Sequence, residues 1–267
     1  MFRETAPKQE NKITPSNSGP MEKVFSTRQE LFDADLTGVT VLHCSKIDDL
    51  ESLPSLPEGL EVLYCKNNPK LDLTGVAWPS SLKEIYACGR PPRTRFSGLP
   101  EDLEKIYCCR GNVEFESLPT NLIELYANEC QLTSLPTLPE GLKRLYANNN
   151  KLSSLPELPQ GLMKLYVSEN ELTELPTLPD SVVELYCTDN KLATLPELPS
   201  SLEELYVDDN ELTSLPELPA KLRELYCSNN KIEVMPLLPD GIEEVHATNN
   251  RGELHMNKTP KYYAKAA

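Results

Sequence analysis

A twenty-residue phrase, LKRLYANNNKLSSLPELPQG, runs from Leu142 to Gly161 and returns almost unchanged from Leu162, Val182, Leu202, Leu222 and Ile242. A fixed period of this length marks a solenoid, in which each copy is one rung and the apolar positions of successive rungs meet along a shared core. One rung alone buries too few side chains to offset the entropy of ordering its backbone. The rungs must therefore stack.

Within the phrase, Leu142, Leu145 and Ala147 read as the inner face of a short strand, with Tyr146 and Asn148 alternating to the open side. Asn150 follows at the turn, where one amide carries two donors and an acceptor for otherwise unpaired backbone groups. Asn recurs at 170, 190, 210, 230 and 250. Leu152, Leu155 and Leu158 turn back inward, while Pro156 and Pro159 remove amide donors and disfavour helix in the residues before them. The return path is expected to be extended and polyproline-like.

Upstream rungs begin at Val39, Leu60, Leu82, Leu103 and Leu122, at the less regular spacings of 21, 22, 21, 19 and 20 residues. Residues 39–250 thus form one elongated domain of about eleven repeats. Residues 1–20 are polar and free of any apolar run, so they read as a disordered leader that supports neither Sec export nor a membrane span. Residues 21–38 read as an amino-terminal cap, a helix over 21–36 opened by a Ser26/Gln29 capping box with Leu31, Phe32 and Leu36 on its apolar face. Residues 251–267 are a basic cap or tail in which Tyr262 and Tyr263 are candidate anchors.

The formal charge is −15, and residues 141–250 hold 8 Lys and Arg against 19 Asp and Glu. Nucleic acid and anionic membrane surfaces are poor partners for such a chain. Of the eight cysteines, Cys44, Cys65, Cys108, Cys187 and Cys227 take the small inner position of Ala147, and Cys130 replaces the turn Asn. Cys88 and Cys109 fall on the open side. With no CxxC and no Cys-His pair at ligand spacing, all eight are expected to be structural or incidental thiols in a reducing compartment. His43, His246 and His255 form no recognisable triad or metal set, so neither cofactor nor metal is expected.

Written out, LPxxLxxLYxxxNxLxxLPxLP resembles the short leucine-rich repeats of the bacterial type III secreted effector family of YopM and IpaH type, over residues 39–250. The resemblance implies a leucine-rich-repeat solenoid, α/β by convention, built of short parallel strands with an extended convex side. It implies a non-enzymatic role: delivery into host cytoplasm by a non-Sec route, with the leader as secretion signal, and binding of host proteins through the curved strand face. IpaH-type members continue into a ubiquitin ligase domain that this sequence does not contain, and no catalytic residue carries over. The alternatives are an intracellular bacterial scaffold, or the substrate-binding part of a ubiquitin ligase whose catalytic domain is absent. The oligomeric state is open.

On the open side, Tyr64, Tyr86, Tyr107, Tyr126, Tyr146, Tyr166, Tyr186, Tyr206 and Tyr226 are expected to form a continuous ladder flanked by His43 and His246. Such a ladder can stiffen the sheet, offer an amphipathic docking stripe, or both. Beside it, Arg144 and Lys164 give way to Glu184, Glu204, Glu224 and Glu244, and Asp189, Asp208 and Asp209 follow on the same strands. A like-charged column across adjacent strands is locally unfavourable. It is either a solubilising acidic face or a site for a basic partner surface, centred on Tyr186, Tyr206, Glu204 and Asp208. The connection CGRPPRTRFSGLP carries the reverse charge, and Arg90, Arg93, Arg95 and Arg110 are candidates for a secondary basic patch, or mark a tolerated insertion.

Overall fold

The computed structural model describes residues 19–89 and 92–251, together with the backbone of residues 262–264. The leader up to residue 18, the tail residues 252–261 and 265–267, Arg90 and His255 lie outside the described residues. Strand β1 (Glu22–Val24) and helix α1 (Arg28–Asp33) precede the rungs. The first four rung strands are β2 (Val41–His43), β3 (Val62–Tyr64), β4 (Glu84–Tyr86) and, after β5 (Thr94–Phe96), β6 (Lys105–Tyr107). Then come β7 (Val113–Phe115), β8 (Glu124–Tyr126), β9 (Arg144–Tyr146), β10 (Lys164–Tyr166), β11 (Glu184–Tyr186), β12 (Glu204–Tyr206), β13 (Glu224–Tyr226), β14 (Glu244–His246) and β15 (Tyr262–Ala264). All but β5 and β7 join one parallel sheet of 13 strands, ordered along the chain. The rungs are a leucine-rich-repeat stack, as the period requires.

The register is set by the repeat. Leu145, Leu165, Leu185, Leu205 and Leu225 pair in line across β9 to β13, and each is fully buried. The central residue of a three-residue strand points into the core and its neighbours point out, so a one-residue slip would expose the whole leucine row. Behind the strand, the small position holds Ala147, Val167, Cys187, Val207 and Cys227, all buried.

The turn asparagines tie consecutive rungs together. Asn190 Nδ2 donates to the carbonyls of Cys187 at 3.1 Å and of Val167 in the preceding rung at 3.0 Å, while its Oδ1 accepts the Leu172 amide at 3.0 Å. Asn170, Asn210 and Asn230 repeat the pattern. Where Cys130 stands in this place, its Sγ turns to the Cys108 carbonyl instead. The next column is a row of left-handed residues, among them Asn149, Glu169, Asp189, Asp209 and Asn229, all with φ of 54–55°. Asn and Asp tolerate this conformation because their short side chains bond locally.

Two expectations are corrected and one is completed. The amino-terminal cap is not a helix over 21–36: residues 22–24 pair in parallel with β2, and the helix spans six residues. Its capping box is Thr27 and Glu30, one residue beyond Ser26 and Gln29, because Glu30 reaches back to the Thr27 amide while Thr27 Oγ1 accepts the Glu30 amide at 3.2 Å. Leu31 is buried under it, whereas Phe32 is exposed. The return path is extended as expected, and in the two rungs starting at Leu82 and Leu103 its extended segments β5 and β7 pair as a second, two-stranded parallel sheet that the expectation lacked. Neither TRF nor VEF contains proline, so their amides are free to pair, and Phe96 and Phe115 alternate inward to stack at 5.4 Å. Finally, Cys88 and Cys109 are joined as a disulfide.

Removing the Asn190 amide leaves the Leu172 amide of the core wall without its partner, at a cost of about 1–3 kcal/mol, while the Val167 and Cys187 carbonyls keep the amides of Asn170 and Asn210. Asn190→Ala should therefore lower the unfolding free energy by ~1–3 kcal/mol. Denaturant unfolding measures this, and a loss below ~1 kcal/mol would show that the rungs do not depend on the ladder.

Candidate partner-binding face

Each rung strand presents its first and third residues outward, so the open face is built of columns running from rung to rung. The third-residue column is the tyrosine ladder. Ring centroids are 4.4 Å apart for His43 and Tyr64, 3.9 Å for Tyr126 and Tyr146, and 4.2 Å for Tyr226 and His246. The rings stack nearly parallel except at Tyr206 and Tyr226, tilted by 31°, and at Tyr146 and Tyr166, which meet edge-on at 82°. Tyr146 is also the most covered ring, at 8% exposure, and so offers a partner the least surface. Tyr166, Tyr186, Tyr206 and Tyr226 are half-buried. Lys66 lies over the amino-terminal part of the ladder, with Nζ 4.8 Å from the Tyr86 centroid.

The first-residue column carries the charge. Glu184, Glu204, Glu224 and Glu244 stand directly opposite one another across β11 to β14. Their arrangement accounts for a column that should repel itself. Tyr166 donates its hydroxyl to Glu184 in the next rung, Tyr186 to Glu204, Tyr206 to Glu224 at 2.5 Å and Tyr226 to Glu244 at 2.6 Å. Each carboxylate thereby gains a donor in a half-buried setting. Lys164 also pairs with Glu184 at 2.7 Å, and His246 Nε2 lies 2.7 Å from Glu244. The hydrogen bond from Tyr226, with the contact to His246, holds the Glu244 carboxyl below its ordinary value. Among the described residues, no Lys or Arg forms an ion pair with Glu204 or Glu224.

Burial, reinforced by neighbouring carboxylates, pushes the phenols of Tyr86, Tyr107, Tyr166, Tyr186, Tyr206 and Tyr226 up. Tyr107 and Tyr226 rise to about 12, and Tyr186 rises further still. These hydroxyls stay protonated and remain donors over the whole physiological range.

The three expected aspartates separate into two settings. Asp208 lies in the fifth column, half-buried, where its Oδ1 accepts the Ser228 amide of the next rung at 2.7 Å. Asn148 and Ser228 hold the same place and do the same work for Ser168 and Thr248. Burial raises the Asp208 carboxyl above its ordinary value. Asp189 and Asp209 sit one residue further, exposed in the left-handed turn column. Asp208 is therefore part of the rung-to-rung scaffold, and Asp189 and Asp209 form the rim of the face.

The secondary basic patch is differently constituted from its sequence reading. Arg93 pairs with Glu114 at 2.8 Å, Arg95 with Glu116 at 3.3 Å and Arg110 with Glu129 at 3.4 Å. Each of these arginines is matched by a carboxylate one rung on. Among the described residues no group of three or more His, Cys, Asp or Glu could hold a metal ion, and no helix is long and apolar enough to cross a membrane.

No protein-family model matches the chain, and no curated protein does. Among solved structures it is similar to YopM from Yersinia enterocolitica WA-314, at 28% identity over 86% of this chain and 69% of that one, with a TM-score of 0.58. It is similar also to YopM of Yersinia pestis, a leucine-rich effector protein, at 30% identity over 85% of this chain and 76% of that one, with a TM-score of 0.60. The chain belongs to the leucine-rich-repeat family. A chain of the octameric complex of latrophilin 3, Unc5D and FLRT2 shares the fold at 22% identity, covering 75% of this chain and 79% of that one, with a TM-score of 0.57.

In this leucine-rich-repeat sheet the hydrogen bonds from tyrosine to glutamate went unnoticed in the sequence. Their signal is a glutamate eighteen residues after a tyrosine, repeated over Tyr166, Tyr186, Tyr206 and Tyr226. Because the folded phenols titrate above the ordinary value of ~10, the stability they contribute is complete below that pH. It is lost as the pH rises from ~10 through about 12, where Tyr107 and Tyr226 ionise. A phenolate absorbance titration, with single Tyr→Phe variants to assign the signals, should show Tyr107 and Tyr226 ionising late and together with alkaline unfolding. Either of these two ionising near the ordinary value in a folded chain would contradict the assigned burial.

Proposed function

We propose that this leucine-rich-repeat chain is a non-enzymatic protein-binding module of bacterial effector type, acting in host cytoplasm after secretion by a non-Sec route. Its face binds a basic surface of a host protein at β11 to β14. The observation that carries the reading is the pair Glu204 and Glu224, which lie side by side on the open face with tyrosine donors and, among the described residues, no ion-paired cation. A guanidinium or ammonium from a partner supplies the missing charge, while Tyr186, Tyr206 and Tyr226 supply rigid amphipathic area beside it. The similarity to the leucine-rich effector protein of Yersinia pestis supports the biological setting.

The geometry also dictates the variant. Reversing Asp208 would disturb the bond to the Ser228 amide, so a loss of binding there would be ambiguous. Glu204→Gln combined with Glu224→Gln removes both charges and keeps an acceptor for each tyrosine. Affinity capture from host-cell lysate, with the retained protein then purified and titrated, should show binding weakened by at least about tenfold and steeply salt-dependent, a change of ~1.4 kcal/mol. Unchanged affinity would remove the acidic rungs as the site. A reporter fused to residues 1–20 tests the delivery separately: translocation into host cells is expected, and retention alongside intact capture would favour an intracellular scaffold.

A further inference from the structure

Six cysteines are free and buried: Cys44, Cys65, Cys108, Cys130, Cys187 and Cys227. Burial pushes the Cys44 and Cys187 thiols up to about 12, which leaves them inert. Cys88 and Cys109 differ in setting and in state. They stand two residues beyond Tyr86 and Tyr107 on adjacent strands of the open face, half-buried, and joined with a Cα separation of 4.5 Å.

This is the column in which Asn148, Ser168, Asp208 and Ser228 accept an amide from the next rung. The Cys109 amide still points to Cys88 Sγ, at 3.2 Å, so sulfur has replaced an oxygen acceptor without displacing the backbone. The two rungs are also held without the bond. Ala87 N donates to the Tyr107 carbonyl at 2.7 Å and Gly89 N to the Cys109 carbonyl at 2.9 Å. Gly89 keeps a φ of 121° and lies so close to Asn67 that a Cβ would come within 2.8 Å of its backbone. The same approach lets the Asn67 amide reach the Cys88 carbonyl at 2.7 Å. Lys66 occupies the same column one rung earlier, with its Nζ over the Tyr86 ring.

We propose that Cys88 and Cys109 form a reversible thiol–disulfide site on the open face, exchanging with small thiols and disulfides of the glutathione class. In the reducing direction, a thiolate of the small molecule attacks one sulfur of the pair, and the intramolecular S–S bond breaks to leave a mixed disulfide and one protein thiolate. A second small thiolate attacks the mixed disulfide and leaves as the small-molecule disulfide. Two electrons pass to the protein and two protons complete the thiols. The oxidising direction is the reverse, with the small disulfide accepting the electrons. Because the backbone bonds between the rungs are independent of the sulfurs, the clip opens and closes on a standing fold. The site does not depend on the identity of the protein partner.

The full chain is equilibrated in buffers of graded oxidised and reduced glutathione, quenched with acid, alkylated and mapped by mass spectrometry. A parallel sample is alkylated while native. The link between Cys88 and Cys109 should be lost at the reducing end and regained at the oxidising end, with both sulfurs alkylated only when reduced. The six buried thiols should stay unlabelled in the native sample, and circular dichroism should not change. Cys88→Ser should instead trap Cys109 as a mixed disulfide with glutathione. A pair that remains linked, or remains a dithiol, at every ratio overturns the proposal. Reduction that unfolds the chain overturns it also, because the bond would then be a structural staple.

Discussion

Everything in this molecule hangs on satisfying the backbone between rungs. A strand of three residues makes too few hydrogen bonds to fix its own place, and the turn behind it points amides and carbonyls into an apolar interior. The asparagine column answers both problems: each amide binds a carbonyl in its own rung and one in the rung before, and accepts an amide from that earlier rung. The side chain at the fifth position adds a further bond from rung to rung. With these contacts in place the leucines need only fill the space between the strand and its return. Leu, Ile and Val accordingly exchange at the central strand position, and Ala, Val and Cys at the small position behind it.

A stack held in this way is quasi-one-dimensional, since each rung depends only on its neighbours. Local departures therefore stay local. The rungs starting at Leu82 and Leu103 carry a second small sheet, a stacked Phe96 and Phe115, and a disulfide on the opposite surface, yet β6 still meets β8 in the common register. Further along, the charge of the open face is rewritten from Arg144 and Lys164 to four glutamates while the row behind it stays aliphatic, Leu up to Leu225 and then Val245. Inner and outer residues of the same strand thus answer to different demands.

That separation explains how much could be read from the residues alone. The rung positions, the inner leucines, the turn asparagines and the tyrosine ladder all follow from one period and the alternation of a strand, because the period multiplies each weak local preference across many copies. Features that occur once have no such multiplication. The capping box moved by one residue because two overlapping capping pairs, Ser26 with Gln29 and Thr27 with Glu30, are both present in the sequence, and only packing chooses between them. Strands β5 and β7 were hidden because three residues without a repeat carry almost no pattern. The pairing of Cys88 with Cys109 needed the register of two rungs of unequal length, 21 residues apart in sequence but adjacent in the sheet.

The glutamate column shows why charge counting alone misjudges an open face. Four carboxylates in register repel one another, and that repulsion alone gives the column no structural justification. The hydroxyls from the preceding rung change the balance, because a carboxylate accepting a short phenolic bond is partly solvated by the protein itself. The repulsion is reduced but not cancelled: a neutral donor brings no positive charge. Lys164 supplies that charge at Glu184, and His246 can do so at Glu244 when protonated. Among the described residues, Glu204 and Glu224, between them, have the hydroxyls and no ion-paired Lys or Arg. The sheet can hold this arrangement by itself, and the middle of the column is still where an incoming cation has most to gain.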